Sequence, residues 1–270
     1  MTKIAELPQR GVIVVEGEDR VAFLQGLVSN DVAAAVPGAA VWAAVLTPQG
    51  KWLADFFILA DGGRLLLDAE RAQCPMLVQR LSRFRLRSKV TLRFDEAFRV
   101  FVAWDGAPPA GIAGRDARLP EAGWRVLSTD AVATTATAAD WDAHRLALGL
   151  PDGSRDIESE KTVLLEAGFD ELNGVSWSKG CYMGQELTAR TRYRGLLKRR
   201  LVPVEILGPA PEPGAPVTRG AIEVGTMRSS LGASGLAVLR LDALVGDEAL
   251  TSGAARLVPR VPGWMRLKTA

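Results

Sequence analysis

One segment constrains the architecture more than any other. Val41 to Leu46 reads as a strand, Thr47-Pro48-Gln49-Gly50 carries proline and glycine where a type I turn wants them, and Lys51 to Leu59 continues as a second strand. Strict alternation along that second strand puts Leu53, Asp55, Phe57 and Leu59 on one face and Trp52, Ala54, Phe56 and Ile58 on the other. Both faces are apolar, so the hairpin must lie at the centre of a layered structure, covered on both sides. Asp55 is the one carboxylate in it. An unpaired buried charge is costly, so Asp55 needs a partner, a cavity or a place at the strand end; a structural aspartate capping neighbouring backbone is the alternative.

The remaining pattern mixes hairpins and helices. Gly11 to Val15 is a β-branched strand, and Glu18-Asp19 opens a helix whose apolar face is Val21, Leu24, Leu27 and Val28. Leu65 to Leu67 reads as a strand. Asp68 is expected to cap a helix from about Ala69 to Arg83, with Pro75 kinking it or marking its true first turn. Val90, Leu92 and Phe94 alternate as a strand expected to pair with Val100 to Trp104 across Asp95-Glu96. Gly106 to Gly123 reads as a loop, Trp124 to Leu127 as a strand, and Asp140 to Leu148 as a helix stopped by Gly149 and Pro151. This is an α+β pattern, not the strict alternation of a doubly wound sheet. Beyond Leu201 only short β runs occur: Val202 to Leu207, Ala221 to Thr226, Leu236 to Leu241 and Ala255 to Val258. They predict a small barrel or sandwich, hence two regions, 1–197 and 198–270.

Several function classes are disfavoured. A net charge of +2 over 270 residues does not suggest a nucleic-acid protein, so any electropositive site must be local. Two cysteines and a single histidine, His144, leave no ligand set for a self-contained metal or iron–sulfur site, and they suit a reducing compartment. There is no glycine-rich dinucleotide or phosphate motif and no apolar run near the ~20 residues a bilayer needs. A cytoplasmic protein is expected.

The densest polar chemistry lies at Lys179-Gly180-Cys181-Tyr182-Met183-Gly184-Gln185-Glu186. Two glycines frame a thiol, and a basic run follows: Arg190, Arg192, Arg194, Lys198, Arg199 and Arg200. Such a segment reads as a tight turn presenting Cys181, with positive neighbours that favour the reactive thiolate. An unreactive, partly buried Cys181 and a merely solvated charge face on a strand are the plainer alternatives.

These residues resemble the YgfZ/Iba57 family, folate-binding proteins of the glycine-cleavage T-protein fold that act in maturation of iron–sulfur enzymes. The resemblance is carried by the Lys179–Glu186 motif, by Gly17 to Asp31, by Thr47 to Lys51 and by Arg145 to Pro151; Leu165-Glu166-Ala167 and Leu187 to Thr191 are more similar to the Iba57 branch. It implies an α+β T-protein-like fold, with folate-binding subdomains around a central channel and a C-terminal β-barrel. It further implies a tetrahydrofolate cofactor held by Glu166, Asp55, Lys179, Tyr182, Gln185, Arg190 and Arg194, with Arg192 and Lys198 adding charge for its acidic tail. Cys181 and Asp55 would be the catalytic groups, and iron–sulfur carrier or scaffold proteins and client enzymes the partners. The chain is shorter than a typical T-protein and carries a cysteine motif that T-proteins lack, which counts against aminomethyl transfer, the competing enzymatic reading. An RNA-binding module built on Arg190 to Arg200 and Tyr193 is a third, weaker fit.

Overall fold

The computed structural model describes residues 1–195, 197–246 and 248–267. Ten strands and three helices precede the cysteine loop: β1 (Lys3–Glu6), β2 (Arg10–Glu16), α1 (Arg20–Gln25), β3 (Gly38–Ala39), β4 (Val41–Leu46), β5 (Trp52–Asp61), β6 (Arg64–Glu70), α2 (Cys74–Ser82), β7 (Thr91–Asp95), β8 (Arg99–Trp104), β9 (Ile112–Arg115), β10 (Trp124–Ser128) and α3 (Ala138–Leu148). After the loop come α4 (Gln185–Arg194) and the strands β11 (Arg199–Leu207), β12 (Pro216–Arg219), β13 (Ile222–Leu231), β14 (Ser234–Arg240), β15 (Leu250–Ser252) and β16 (Ala255–Pro259).

The strands form three sheets. One runs β4-β5-β6-β2-β7, a second β1-β8-β10-β9-β3, and the last six strands close a barrel in the order β11-β14-β13-β12-β15-β16. The first two sheets share one core. Val12, Trp42, Trp52 and Phe57 of the first pack with Phe98, Val100 and Leu127 beside the second, and Leu164, Phe169 and Tyr182 fill the same cluster. The other face of the first sheet buries Ile13, Phe56 and Ile58 against Leu24 of α1 and Leu77 and Leu81 of α2. The expectation of a central β5 covered on both sides therefore holds. Trp141 of α3 packs on Val102 and Trp104, and Leu146 packs on Leu201 and Leu236 of the barrel. Thr137 and Asp140 form a capping box at the start of α3, and Gly149 ends it in the left-handed conformation.

Four local expectations are corrected. The alternation of β5 breaks at its start, because a bulge opposite Val45 and Leu46 pairs Val45 with Ala54 and Leu46 with Trp52. Trp52 thereby joins Phe57 and Leu59 in the inter-sheet core, while Leu53 and Ala54 both enter the other cluster. Asp68 caps no helix. The β2–β6 ladder extends to Arg10 opposite Glu70, keeping Asp68 in a strand, and α2 starts at Cys74 with Pro75 in its first turn. β7 pairs with β2, whereas β8 pairs with β1 and β10; Asp95 accepts from the Ala97 N–H in a turn that carries the chain from one sheet to the other. Within Gly106 to Gly123, β9 pairs with β10 and lies parallel to β3; an added Cβ on Gly114 would sit 2.8 Å from the Ala40 nitrogen, so the close approach needs glycine.

Between the two sheets lies a buried charge network. Arg10 and Arg125 both donate to Asp68, Arg125 through Nε at 2.8 Å. Arg118 donates to Asp116 at 2.7 Å and to the Pro151 carbonyl at 2.8 Å. The guanidinium carbons of Arg118 and Arg125 lie 4.8 and 4.5 Å from the centre of the Phe57 ring.

Candidate functional site

The Lys179–Glu186 loop is interlocked with the β4–β5 turn. Gly184 has φ +78°, and a Cβ there would fall 2.5 Å from the Thr47 carbonyl oxygen. Gly50 has φ +80°, and a Cβ there would fall 2.6 Å from the Gly184 oxygen. Only glycine satisfies both conformation and space at either position. The Met183 N–H donates to the Gly26 carbonyl at 3.1 Å, and Tyr182 N–H donates to Gln185 Oε1 at 3.1 Å. Tyr182 is buried in the inter-sheet core with Trp42, Leu46 and Trp52. Cys181, its neighbour, is exposed. The loop thus combines a fixed frame with a solvent-facing thiol.

Lys179 does not reach toward that thiol. Its Nζ donates to the carbonyls of Val28, at 2.8 Å, and Gln25, satisfying oxygens that the end of α1 leaves without partners. It also lies 4.9 Å from the centre of the Tyr182 ring. Half-burial pushes the Lys179 ammonium down to about 8, with Asp31 pulling the other way. Burial pushes the Tyr182 phenol up to about 12.

The basic run is helical where a strand face was the alternative. Gln185 opens α4, and Arg190 and Arg194, four residues apart, stand exposed on it. Arg192 turns inward: its guanidinium stacks 4.0 Å from the Trp177 ring and lies 3.8 Å from Asp170 Oδ1, which also accepts from Trp177 Nε1 at 2.7 Å.

Asp55 and Glu166 both lie in the fold's interior half, and both are already held. Asp55 is 5% exposed and accepts from the indole nitrogens of Trp42, at 2.8 Å, and Trp52, at 3.2 Å. The β5 bulge is what brings Trp52 to that face. Burial raises the Asp55 carboxyl above its usual range, against the Trp42 hydrogen bond and the nearby Arg10 and Arg118 charges. Glu166 accepts from Val163 N–H at 3.0 Å and from Arg199 Nε at 3.3 Å. Phe169 stacks on Trp42, with ring centres 3.8 Å apart and planes 21° from parallel.

Buried polar atoms without partners include Tyr182 Oη in the loop itself, and several more gather around a neighbouring cavity. A cavity of about 150 Å³ opens between α4, β11 and the C-terminal segment, with Leu165, Glu171, Arg192 and Arg200 in its wall. Arg200 is 2% exposed; Nη1 donates to the Leu165 carbonyl at 3.0 Å, and Nη2 lies 2.9 Å from Glu171 Oε1. Arg200 Nε and Nη2, Arg192 Nη1 and Glu171 Oε2 are buried without a hydrogen bond. Four unsatisfied polar atoms around one cavity are the arrangement a polar ligand would complete. Sequence reasoning folded Arg200 into the charge run and passed over Glu171. The usable signal was parity: Arg200 shares the buried face of β11 with Val202, Val204 and Ile206.

The chain superposes on glycine cleavage system aminomethyltransferase T from Bartonella henselae with a TM-score of 0.76, over 97% of this chain and 85% of that one, at 14% sequence identity; the two share a fold. Residues 198–267 match the CAF17 C-terminal β-barrel domain. The human iron–sulfur cluster assembly factor IBA57, mitochondrial, is 33% identical over 298 residues, covering 96% of this chain and 84% of the human one. The chain belongs to the IBA57 family. The IBA57 homologue of the fungus Mycosarcoma maydis is 39% identical over 241 residues, which take in 79% of this chain and 60% of the fungal one. Both relatives are named as mitochondrial. In this IBA57-family chain no helix among the described residues is long and apolar enough to cross a membrane.

Proposed function

We propose that this chain is a tetrahydrofolate-binding accessory factor for the assembly or repair of iron–sulfur clusters in client enzymes, working in a reducing compartment such as the cytoplasm, with Cys181 as its working thiol. The observation that carries the reading is the exposed Cys181 on a loop held by the Gly184–Gly50 contact and by Lys179. A thiol on a rigid frame approaches a partner with little conformational entropy to lose. The names of the human and fungal relatives supply the iron–sulfur context. Among the described residues no three His, Cys, Asp or Glu side chains are grouped to hold a metal ion, so a cluster passing through needs ligands from a carrier or client protein.

The folate part rests on donor chemistry. Glu171 Oε2 can accept from the guanidine-like edge of a pterin, while Arg200 Nε and Arg192 Nη1 can donate to its carbonyl or to a carboxylate. The cavity of about 150 Å³ has room for part of such a ring, and α4, which forms one of its walls, also carries the exposed Arg190 and Arg194 that an acidic tail could meet. Bound folate would bring one-carbon chemistry; the chain's residues bind and orient it. Asp55 is held by two indoles and Glu166 by Val163 and Arg199, and neither side chain lines this cavity. That hold is the specific observation against aminomethyl transfer as the main activity.

The test is Cys181→Ser in cells lacking the native protein, alongside tetrahydrofolate titration of the purified variant followed by tryptophan fluorescence. The expected result is unchanged folate affinity with failing iron–sulfur enzymes. Full activity of those enzymes in the variant removes the thiol from the mechanism, and absence of saturable folate binding in the wild type removes the cofactor.

A further inference from the structure

A second cavity, of about 510 Å³, lies away from the cysteine loop, where β2, the end of β6 and the 152–155 segment meet. Arg10, Arg71 and Arg155 line it together with Glu70 and Asp152. Its size is in the range of small-molecule sites. We propose that it binds a small organic carboxylate, with Arg10 at its floor and Arg71 at its rim.

The assignment follows from which polar atoms are already engaged. Both Glu70 oxygens accept from Ser154, from the hydroxyl at 2.8 Å and the backbone N–H at 3.2 Å. Asp152 Oδ2 accepts from Arg155 Nη1 at 3.1 Å, and Arg155 spends Nη1 and Nη2 on Asp142 as well. The acidic side of the wall is therefore largely satisfied. The basic side is not. Arg10 is 3% exposed and gives Nε and Nη2 to Asp68, but for Nη1 the nearest acceptor among the described residues is Asp152 Oδ1, at 3.6 Å, beyond hydrogen-bond distance. Arg71 gives only Nε, to the Pro8 carbonyl at 3.0 Å, and stacks on Phe94.

A carboxylate is the group that would use these donors. It can take Nη1 of Arg10 and the free end of Arg71 in charge-assisted hydrogen bonds. Arg10 is locked by Asp68 and carries no further rotamer cost on binding, so the site is preorganised. Arg155 is taken up by Asp142 and Asp152, so the positive groups left to face the cavity are Arg10 Nη1 and the end of Arg71. Ala72, exposed at the mouth, leaves room for the ligand's body.

The experiment is calorimetric titration of the chain with succinate at low ionic strength, with inorganic phosphate and ethylammonium as comparison probes. The expected result is saturable one-site succinate binding, weakened at least about tenfold in Arg71→Gln and abolished in Ala72→Trp, which fills the mouth. Both substitutions lie at the surface end of the cavity, and circular dichroism checks that each variant is folded. Absence of saturable succinate binding overturns the proposal, as does equal affinity in the two variants. Phosphate or ethylammonium binding as tightly as succinate also overturns it. The proposal does not depend on the folate and thiol reading: unchanged tetrahydrofolate affinity in Arg71→Gln is expected, and either result stands if the other fails.

Discussion

Arg10 and Arg125 lie between two sheets, 3% and 2% exposed, and share the carboxylate of Asp68, whereas Arg190 and Arg194 stand in solvent on α4. The same side chain does opposite work in the two places. In the core Asp68 fixes each guanidinium in one arrangement, leaving only Nη1 of Arg10 toward a cavity; on α4 the side chain keeps its water and is free to swing toward a partner. The contrast teaches where substitutions should be felt. Removing an exposed arginine should change stability by less than about 0.5 kcal/mol, while removing the shared core carboxylate should threaten the fold.

Asp68→Asn is the strongest way to break this comparison. It strands two buried guanidiniums, and the expected loss is about 3–5 kcal/mol in denaturant unfolding. A companion variant, Arg10→Met/Asp68→Leu/Arg125→Met, sharpens the point, because apolar replacement of a whole buried network costs less than removal of one member. If Asp68→Asn unfolds at the wild-type midpoint, the network is not structural.

This network is also where the sequence was least legible. Asp68 followed by a helical pattern looks like a cap, and nothing local announces partners 58 and 57 residues away. The same limit explains the misassigned β7–β8 hairpin: two alternating runs across a short turn look paired, and only the global packing sends them to different sheets. Local chemistry was readable. The glycines of Thr47–Gly50 and of the cysteine loop each marked a turn on their own, and the motifs named the family, but their mutual contact was not visible. Asp55 stood out as a carboxylate among apolar residues; its tryptophan partners did not, because the bulge that turns Trp52 toward it breaks the alternation on which the reading relied.

Gly184→Ala tests that contact at a smaller scale. The new Cβ meets the Thr47 carbonyl at a backbone angle alanine rarely adopts, so a loss of about 1–3 kcal/mol is expected. Gly50→Ala should cost a similar amount. Because both changes disrupt one interface, the double variant should lose less than the two single losses combined. Additive losses in thermal unfolding would mean that loop and turn are anchored independently.

Lys179 lies between the two extremes, half-buried and bonded to carbonyls rather than carboxylates, and it gives the smallest effect. Its folded-state pKa, about 8, is below the ordinary 10.5. Between those values the unfolded chain binds the proton more tightly than the folded one, so stability must rise with pH across that window. Below it both states are protonated and the folded state bears the penalty of a half-buried charge. Lys179→Met carries no such proton, so its melting temperature relative to wild type should fall as pH rises from about 8 to 10.5. Partial exposure keeps the slope shallow. A parallel pair of curves would show that Lys179 titrates as freely as the arginines of α4 are solvated, and that its contacts with α1 do not set its charge.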